Sequence, residues 1–180
     1  MTQPDRIQAI NYVSAGLNEV LGKSRESQNS TMPLEVKNRV ETSLDTLGEI
    51  FTRGMLIRAG RASLYYWMRD NGERFKWNST DFKLLSFRYK LLRGIDDLTT
   101  WWSQSGAGSF SIDSKAKTVV VEYHPGEQAI TQLGCCFFMG LIQEYISWLA
   151  SGKFFPAREI QCRKSDSQCH VFEISKTPLD

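Results

Sequence analysis

Cysteines and long apolar runs are scarce in this 180-residue chain, and each scarcity excludes a class of protein. Four cysteines are too few for the disulfide framework of a small secreted domain. The longest apolar run, residues 134–150, includes Gln143 and Glu144 and is shorter than the roughly 20 residues of a membrane span. The first residues are polar and do not resemble a secretory leader. We therefore expect a soluble, cytoplasmic protein, with peripheral contact to a membrane as an alternative.

Recognisable catalytic motifs are missing as well. The glycine-rich segment 106–108 does not have the spacing of a phosphate loop or a dinucleotide-binding turn. Neither Gly-x-Ser-x-Gly nor His-Glu-x-x-His occurs in the chain. A Ser-His-Asp triad would have to use His124 or His170, and both lie in segments that predict strands. The sequence therefore favours a protein without catalytic residues of its own.

The composition is that of one folded domain, with 41% apolar and 23% charged residues. Hydrophobic periodicity predicts helices over residues 4–21, 34–68 with a break near Gly54, 82–102, and 127–150 closed by Ser151-Gly152. β-branched and aromatic runs predict two hairpins, one from residues 110–112 and 118–123 and one from residues 157–163 and 169–174.

This order of elements predicts an α/β (α+β) fold. Two hairpins around one helix favour a four-stranded antiparallel sheet with helices packed on one face. The polar stretch at residues 23–32 has the composition of a linker. We therefore divide the chain into an N-terminal helix and linker, residues 1–32, and a ligand-binding domain, residues 33–180.

Several short motifs follow one another in a recognisable order along the chain. They are Arg58-Ala59-Gly60-Arg61, a basic helix with Arg88, Gly134-Cys135-Cys136-Phe137-Phe138-Met139-Gly140, Gly152-Lys153, Arg158-Glu159-Ile160-Gln161-Cys162, and Cys169-His170-Val171-Phe172. Their order and spacing resemble the 4-vinyl reductase domain family over roughly residues 40–175. The resemblance implies a small domain similar to TRAPP vesicle-tethering subunits that binds small hydrophobic molecules.

The same resemblance implies a structural zinc ion, because sensor domains of that family hold one with an early Cys, a Glu-x-x-Cys pair and a later Cys. The residues at matching positions are Cys135 or Cys136, Glu159, Cys162 and Cys169. Glu159 and Cys162 are three residues apart, so both can reach one metal only if the strand has a bulge or ends there. Free buried thiols and a Cys162–Cys169 disulfide are the alternatives.

Aromatic and basic residues outline a candidate pocket. The aromatic side chains proposed to contact a ligand are Tyr65, Trp67, Trp101, Phe138 and Tyr145, with a plain hydrophobic core as the alternative. Residues 53–93 carry ten Lys and Arg against three Asp and Glu, and Arg58, Arg61 and Arg88 are the proposed anchors for ligand carboxylates. A solvated basic face or an acidic membrane surface would explain the same charge, whereas no nucleic-acid-binding motif accompanies it.

The sequence thus favours a non-catalytic binding domain for a small hydrophobic or tetrapyrrole-like ligand, with a regulatory or assembly role. One alternative is an enzyme or enzyme subunit in (bacterio)chlorophyll vinyl reduction, although no cofactor fingerprint is present. Another is a protein–protein interaction module without a ligand. The expected partners are the small molecule and either a second copy of the chain or another protein.

Overall fold

The computed structural model describes residues 3–22, 41–43, 45–73, 75–104, 108–125, 134–150, 153–161 and 169–179. The main helices are α1 (Gln3–Leu21), α2 (Glu49–Asn71), α3 (Thr80–Leu84), α4 (Phe87–Gln104) and α5 (Gly134–Leu149). The strands are β1 (Gly108–Ser114), β2 (Thr118–Pro125), β3 (Ala157–Gln161) and β4 (His170–Ser175).

The four strands form one antiparallel sheet in the order β1-β2-β4-β3. In the register of the two central strands, Val121 pairs with Phe172. Alternation along β2 buries Val119, Val121 and Tyr123 against the helices, whereas Glu122 on the other face is exposed. The pairing of β3 with β4 shifts register between Glu159 and Gln161, so the last hairpin contains a bulge at this point.

Helix α5 is the central element of the fold because it is buried on two sides. On one side, Phe138 packs on the sheet, with its ring centroid 4.9 Å from that of Phe110 and 5.3 Å from that of Phe172. On the other side, α5 contacts α2 so closely that a Cβ atom at Gly140 would lie 2.1 Å from the Ile57 carbonyl oxygen. Its high content of apolar residues on all faces follows from this position.

Helix α1 packs on the outer side of α2. Val13 and Leu17, one helical turn apart, are fully buried in this contact. The Ser63 hydroxyl lies 3.5 Å from the Val13 carbonyl oxygen and donates a 2.8 Å hydrogen bond to the Ala59 carbonyl oxygen within α2. The layers, from outside to inside, are therefore α1, α2, α5 and the sheet.

The predicted fold class, a four-stranded antiparallel sheet with helices, is confirmed. The division of the chain at residue 32 stays a prediction, because residues 23–40 lie outside the described residues. The predicted C-cap at Ser151-Gly152 also lies outside them. Within the described part of the chain, none of the helices is long and apolar enough to cross a membrane.

Two helix boundaries differ from the predicted ones. Helix α2 runs through Gly54 without a break, and the chain instead turns at Gly48, whose φ of 78° lies in the left-handed region that favours glycine. The predicted helix over residues 82–102 is interrupted at Leu85, which has an extended backbone with ψ of 148°. The apolar spacing there does not reveal the break, because no glycine or proline marks it.

Candidate functional site

Three of the eight residues proposed to bind a ligand lie together on the surface of α2. Arg58, Arg61 and Tyr65 line a groove of about 350 Å³ between α1 and α2. We call it the α1–α2 groove; its other lining residues are Glu19, Val20, Ala62, Tyr66 and Glu144. The groove therefore combines apolar and charged side chains, and the charged groups in its described lining are two arginines and two glutamates.

A second groove lies beside α5 and has a volume of about 370 Å³. We call it the α5 groove; its apolar lining consists of Ile146, Phe154, Phe155 and Ala157, and its polar lining of Arg61, Gln143, Ser147 and Lys153. Phe155 is held in place by stacking on Phe87 of α4, with 3.9 Å between the ring centroids. Apolar walls with a few cationic groups are typical of small-molecule sites.

Arg61 lines both grooves. Its Nε donates a 2.9 Å hydrogen bond to Glu144 Oε2, which forms an ion pair between α2 and α5. The arginine side chain is 47% exposed and that of Glu144 is 21% exposed, so solvent reaches the pair. Another hydrogen bond closes the far wall of the α1–α2 groove, where the Tyr66 hydroxyl donates to Glu19 Oε2 at 2.7 Å. This bond raises the pKa of Tyr66 above its ordinary value.

Four of the proposed ligand contacts belong to the hydrophobic core. Trp67, Trp101, Phe138 and Tyr145 are all at most 8% exposed. The Tyr145 ring fills the space between α5 and α4, since a Cβ atom at Gly94 would lie 1.9 Å from the ring. Its hydroxyl donates to the Lys90 carbonyl oxygen at 2.5 Å, and burial raises its pKa.

Arg88, the remaining residue of the proposed set, is exposed on α4 and lines neither groove. Burial lowers the pKa of Lys176, which follows β4, and the positive charge of Arg88 lowers it further. The structure therefore brings Arg58, Arg61 and Tyr65 together and separates Arg88 from them.

A buried polar cluster lies where the start of α5 meets the last hairpin. Cys135, Glu159 and His170 each bring one side-chain atom within 4.8 Å of the others. His170 is 2% exposed, and its Nδ1–H donates a 2.8 Å hydrogen bond to Glu159 Oε1. The ring also stacks on Tyr123, with 5.8 Å between centroids. The carboxylate thus fixes the orientation and tautomer of the imidazole.

Cys136 adjoins this cluster. A hydrogen bond with the Cys135 thiol lowers the pKa of the Cys136 thiol, burial opposes the change, and the positive charge of Arg53 lowers the pKa further. Cys162 lies outside the described residues, and Cys169 is half-buried next to His170. Of the predicted metal ligands, the structure therefore brings Cys135 and Glu159 together.

His170 was missed as a member of this cluster, although the sequence holds the signal for it. Side chains alternate along a strand, so His170 lies on the same face of β4 as Phe172 and Ile174, the face that packs on α5. Glu159 pairs with Phe172 across β3 and β4 and shares that face. The histidine could have been placed beside the carboxylate from the strand register alone.

No protein-family model matches this chain, and no curated protein matches it. Solved structures of H-NOX proteins do match it along nearly its whole length. An H-NOX protein from S. oneidensis in the Fe(II) ligation state has 9% identity and a TM-score of 0.62, over 96% of this chain and 95% of that chain. A structure from a study of heme distortion in the H-NOX family has 14% identity and a TM-score of 0.54, over 94% of this chain and 87% of that chain. An oxygen-binding H-NOX domain related to soluble guanylate cyclases has 13% identity and a TM-score of 0.50, over 98% of this chain and 94% of that chain.

These neighbours correct two predictions. The resemblance to 4-vinyl reductase domains and TRAPP subunits is wrong, because the structures that share this fold are H-NOX domains. Gly60 and Gly140, which contributed to that resemblance, are required where the backbones of α2 and α5 touch. The prediction of a structural zinc ion is wrong as well, because heme, and not zinc, is named for these neighbours. At 9–14% identity the likeness establishes the fold, which this chain shares with H-NOX domains.

Proposed function

We propose that this chain is a non-catalytic binding domain for a small hydrophobic molecule with an acidic group. The observation that carries the proposal is the α5 groove, about 370 Å³ in volume, with apolar walls and two cations, Arg61 and Lys153. Small-molecule sites of this size are mostly apolar and use a few polar groups to orient the ligand. Full-length similarity to ligand-binding H-NOX domains supports the same class of function.

The position of α1 supports a regulatory role. Glu19 and Val20 of α1 form one wall of the α1–α2 groove, which adjoins the α5 groove at Arg61. A ligand group that enters the α1–α2 groove would contact both helices, which gives it a means to alter how α1 packs on α2. We propose that binding is in this way converted into a change at the outer surface of the domain.

The heme of the neighbours does not fit either groove. Heme iron takes a nitrogen, sulfur or phenolate oxygen ligand from the protein. Among the described residues, the lining of the α5 groove has no His, Cys, Met or Tyr, and that of the α1–α2 groove has only Tyr65 and Tyr66. Tyr66 donates its proton to Glu19 and has a raised pKa, which disfavours the phenolate. His170 lines neither groove and is held by Glu159.

The proposal is tested by filling the α5 groove. Ser147 is exposed on the groove wall, so Ser147→Trp places an indole in the ligand space. We expect this variant to bind decanoate at least tenfold more weakly than the wild type in isothermal titration calorimetry. The control is Thr100→Trp, a small-to-large change at an exposed position on α4 outside both grooves, which should change the affinity by less than twofold. Equal binding by the wild type and Ser147→Trp contradicts the site, and no binding by the wild type contradicts the function.

A tetrapyrrole is the second candidate ligand, and the fold similarity to H-NOX domains favours it. Titration with hemin, followed by the Soret band, separates it from the first. The proposed function predicts no Soret shift that depends on His170. A one-to-one hemin complex in which His170→Ala abolishes the shift would instead assign the domain to heme binding.

A further inference from the structure

The ion pair between Arg61 and Glu144 stands at the boundary of the two grooves. Arg61 lines both of them, while Glu144 lines the α1–α2 groove and follows Gln143 of the α5 groove. The guanidinium already holds a carboxylate at 2.9 Å, the geometry of a charge-assisted hydrogen bond. The protein's own side chain thus occupies the place that suits the carboxylate of a ligand.

We propose that Glu144 is an internal competitor for the carboxylate of an elongated amphipathic ligand, and that Arg61 exchanges Glu144 for that ligand. The inference rests on the proposed function and deepens it, because it names the ligand class and a residue that determines specificity. The acid head binds Arg61 at the boundary, and the apolar tail lies in the α5 groove between Ile146 and Phe155.

The exchange is energetically accessible because the pair is partly exposed. Ion pairs that solvent reaches contribute little net stability, since hydration of the separated charges offsets their attraction. The hydrogen bond to Glu144 uses Nε of Arg61, and a guanidinium has five N–H donors, so the terminal nitrogens can engage an incoming carboxylate before the internal one leaves. The Glu144 side chain is 21% exposed, so water can hydrate its carboxylate once Arg61 releases it.

The surrounding charges favour an anionic head at this boundary. Arg58 lies in the α1–α2 groove beside Arg61, and Lys153 lies in the α5 groove. The negative groups are Glu144 and Glu19, and Glu19 accepts the hydrogen bond of Tyr66 across the groove. Removing the charge of Glu144 therefore leaves three cations against one carboxylate around the head.

The test compares decanoate with decan-1-ol, which has the same tail and no charge, on the full chain by isothermal titration calorimetry. In Glu144→Gln we expect decanoate to bind about tenfold more tightly, because the competing carboxylate is gone, and decan-1-ol to bind as in the wild type. In Arg61→Gln we expect decanoate to lose about tenfold in affinity and decan-1-ol to change by less than twofold. The matched control is Glu173→Gln, which removes a carboxylate from an arginine ion pair, that with Arg158 at 2.8 Å, outside both grooves, and we expect less than a twofold change.

The outcomes separate this inference from the proposed function. If the wild type and the variants bind both compounds with the same affinities, the α5 groove remains the proposed ligand site and the proposed exchange at Arg61 is wrong. If Glu144→Gln weakens decanoate binding, Glu144 supports the site and does not compete for it, and the inference is again wrong. If the wild type binds neither compound, the proposed function itself fails. Thermal unfolding of each variant shows whether an altered affinity comes from a folded protein.

Discussion

Asp97 is a buried carboxylate in the helical layer, 6% exposed, and accepts a 2.8 Å hydrogen bond from the indole nitrogen of Trp77. Burial raises its pKa above the ordinary value of 3.8, while Trp77 and the nearby charge of Arg93 act in the opposite direction. Burial dominates, so the folded protein binds the proton more tightly than the unfolded chain does. The stability that this proton provides is complete below pH 3.8 and is lost as the pH rises through the raised pKa.

We therefore predict a pH-dependent effect of Asp97→Asn. The neutral amide has no proton to lose, so the free energy of unfolding of the variant minus that of the wild type increases as the pH rises above 3.8. The slope is at most about 1.4 kcal/mol per pH unit, and the difference is constant above the folded-state pKa. Urea unfolding at several pH values between 3.5 and 7 measures it.

The control for this prediction is Asp96→Asn, which removes the same charge from the exposed neighbouring position. A surface change of this kind alters stability by less than about 0.5 kcal/mol at each pH. If the difference for Asp97→Asn instead decreased with rising pH, the hydrogen bond from Trp77 would outweigh burial and the pKa of Asp97 would lie below 3.8.

At the scale of single residues, the sequence shows whether a side chain is charged or apolar, but not which side chain it contacts in the folded protein. It proposes Arg58 and Arg61 as anchors for a ligand, and both line a groove. It does not show that Arg61 is paired with Glu144, 83 residues further along the chain, because that contact depends on the packing of α2 against α5. For Trp67 and Tyr145 the sequence is compatible with either a ligand contact or a hydrophobic core, and both side chains are buried.

Helices α2 and α5 pack so closely that glycine is needed on both sides of their contact. A Cβ atom at Gly60 would lie 2.1 Å from the Phe137 carbonyl oxygen, and one at Gly140 would lie 2.1 Å from the Ile57 carbonyl oxygen. Both obstacles are backbone atoms, which cannot rotate away as a side chain can. The two helices must separate to accept any larger residue.

We predict that Gly140→Ala destabilises the protein by about 3 kcal/mol or more, because the added methyl forces α2 and α5 apart. Gly54→Ala is the matched control on α2, since no atom lies within 4 Å of the added Cβ. It should stabilise the protein by about 0.5–1 kcal/mol through helix propensity alone. Urea unfolding of both variants measures the two changes, and a destabilisation below about 1 kcal/mol in Gly140→Ala would contradict the close contact.

At the scale of elements, the sequence predicts regular structure well where periodicity and end signals agree. The two hairpins, β1 with β2 and β3 with β4, follow from β-branched and aromatic runs between turn residues. The break at Leu85 is not predicted, because Leu84 and Leu85 continue the helical spacing although they are 80% and 41% exposed.

At the scale of the whole molecule, both grooves are products of packing between elements distant in sequence. The α5 groove joins residues of α2, α5, β3 and the segment before β3, and the α1–α2 groove joins three helices. Sequence patterns describe each of these elements separately, so they predict a ligand-binding domain without locating the site. The likeness to H-NOX domains is found by comparing three-dimensional structures, at sequence identities of only 9–14%.

The central position of α5 predicts that the helical layers and the sheet unfold together. Phe138 of α5 is 1% exposed and contacts rings from β1, β2 and β4, so Phe138→Ala opens a cavity at the junction of the two layers. We expect a loss of about 3–5 kcal/mol in the free energy of unfolding. Tryptophan emission reports on the helical layer and amide exchange on β2 and β4 reports on the sheet.

Both probes should give the same urea midpoint in the wild type and shift together in Phe138→Ala, since neither layer retains its buried face without α5. Phe154→Ala is the control, because this phenylalanine is 67% exposed and its removal opens no cavity in the core. It should change stability by less than about 0.5 kcal/mol and leave the single transition intact. Separate midpoints for the two probes would show that the sheet folds independently of the helices, and α5 would then belong to only one of the two layers.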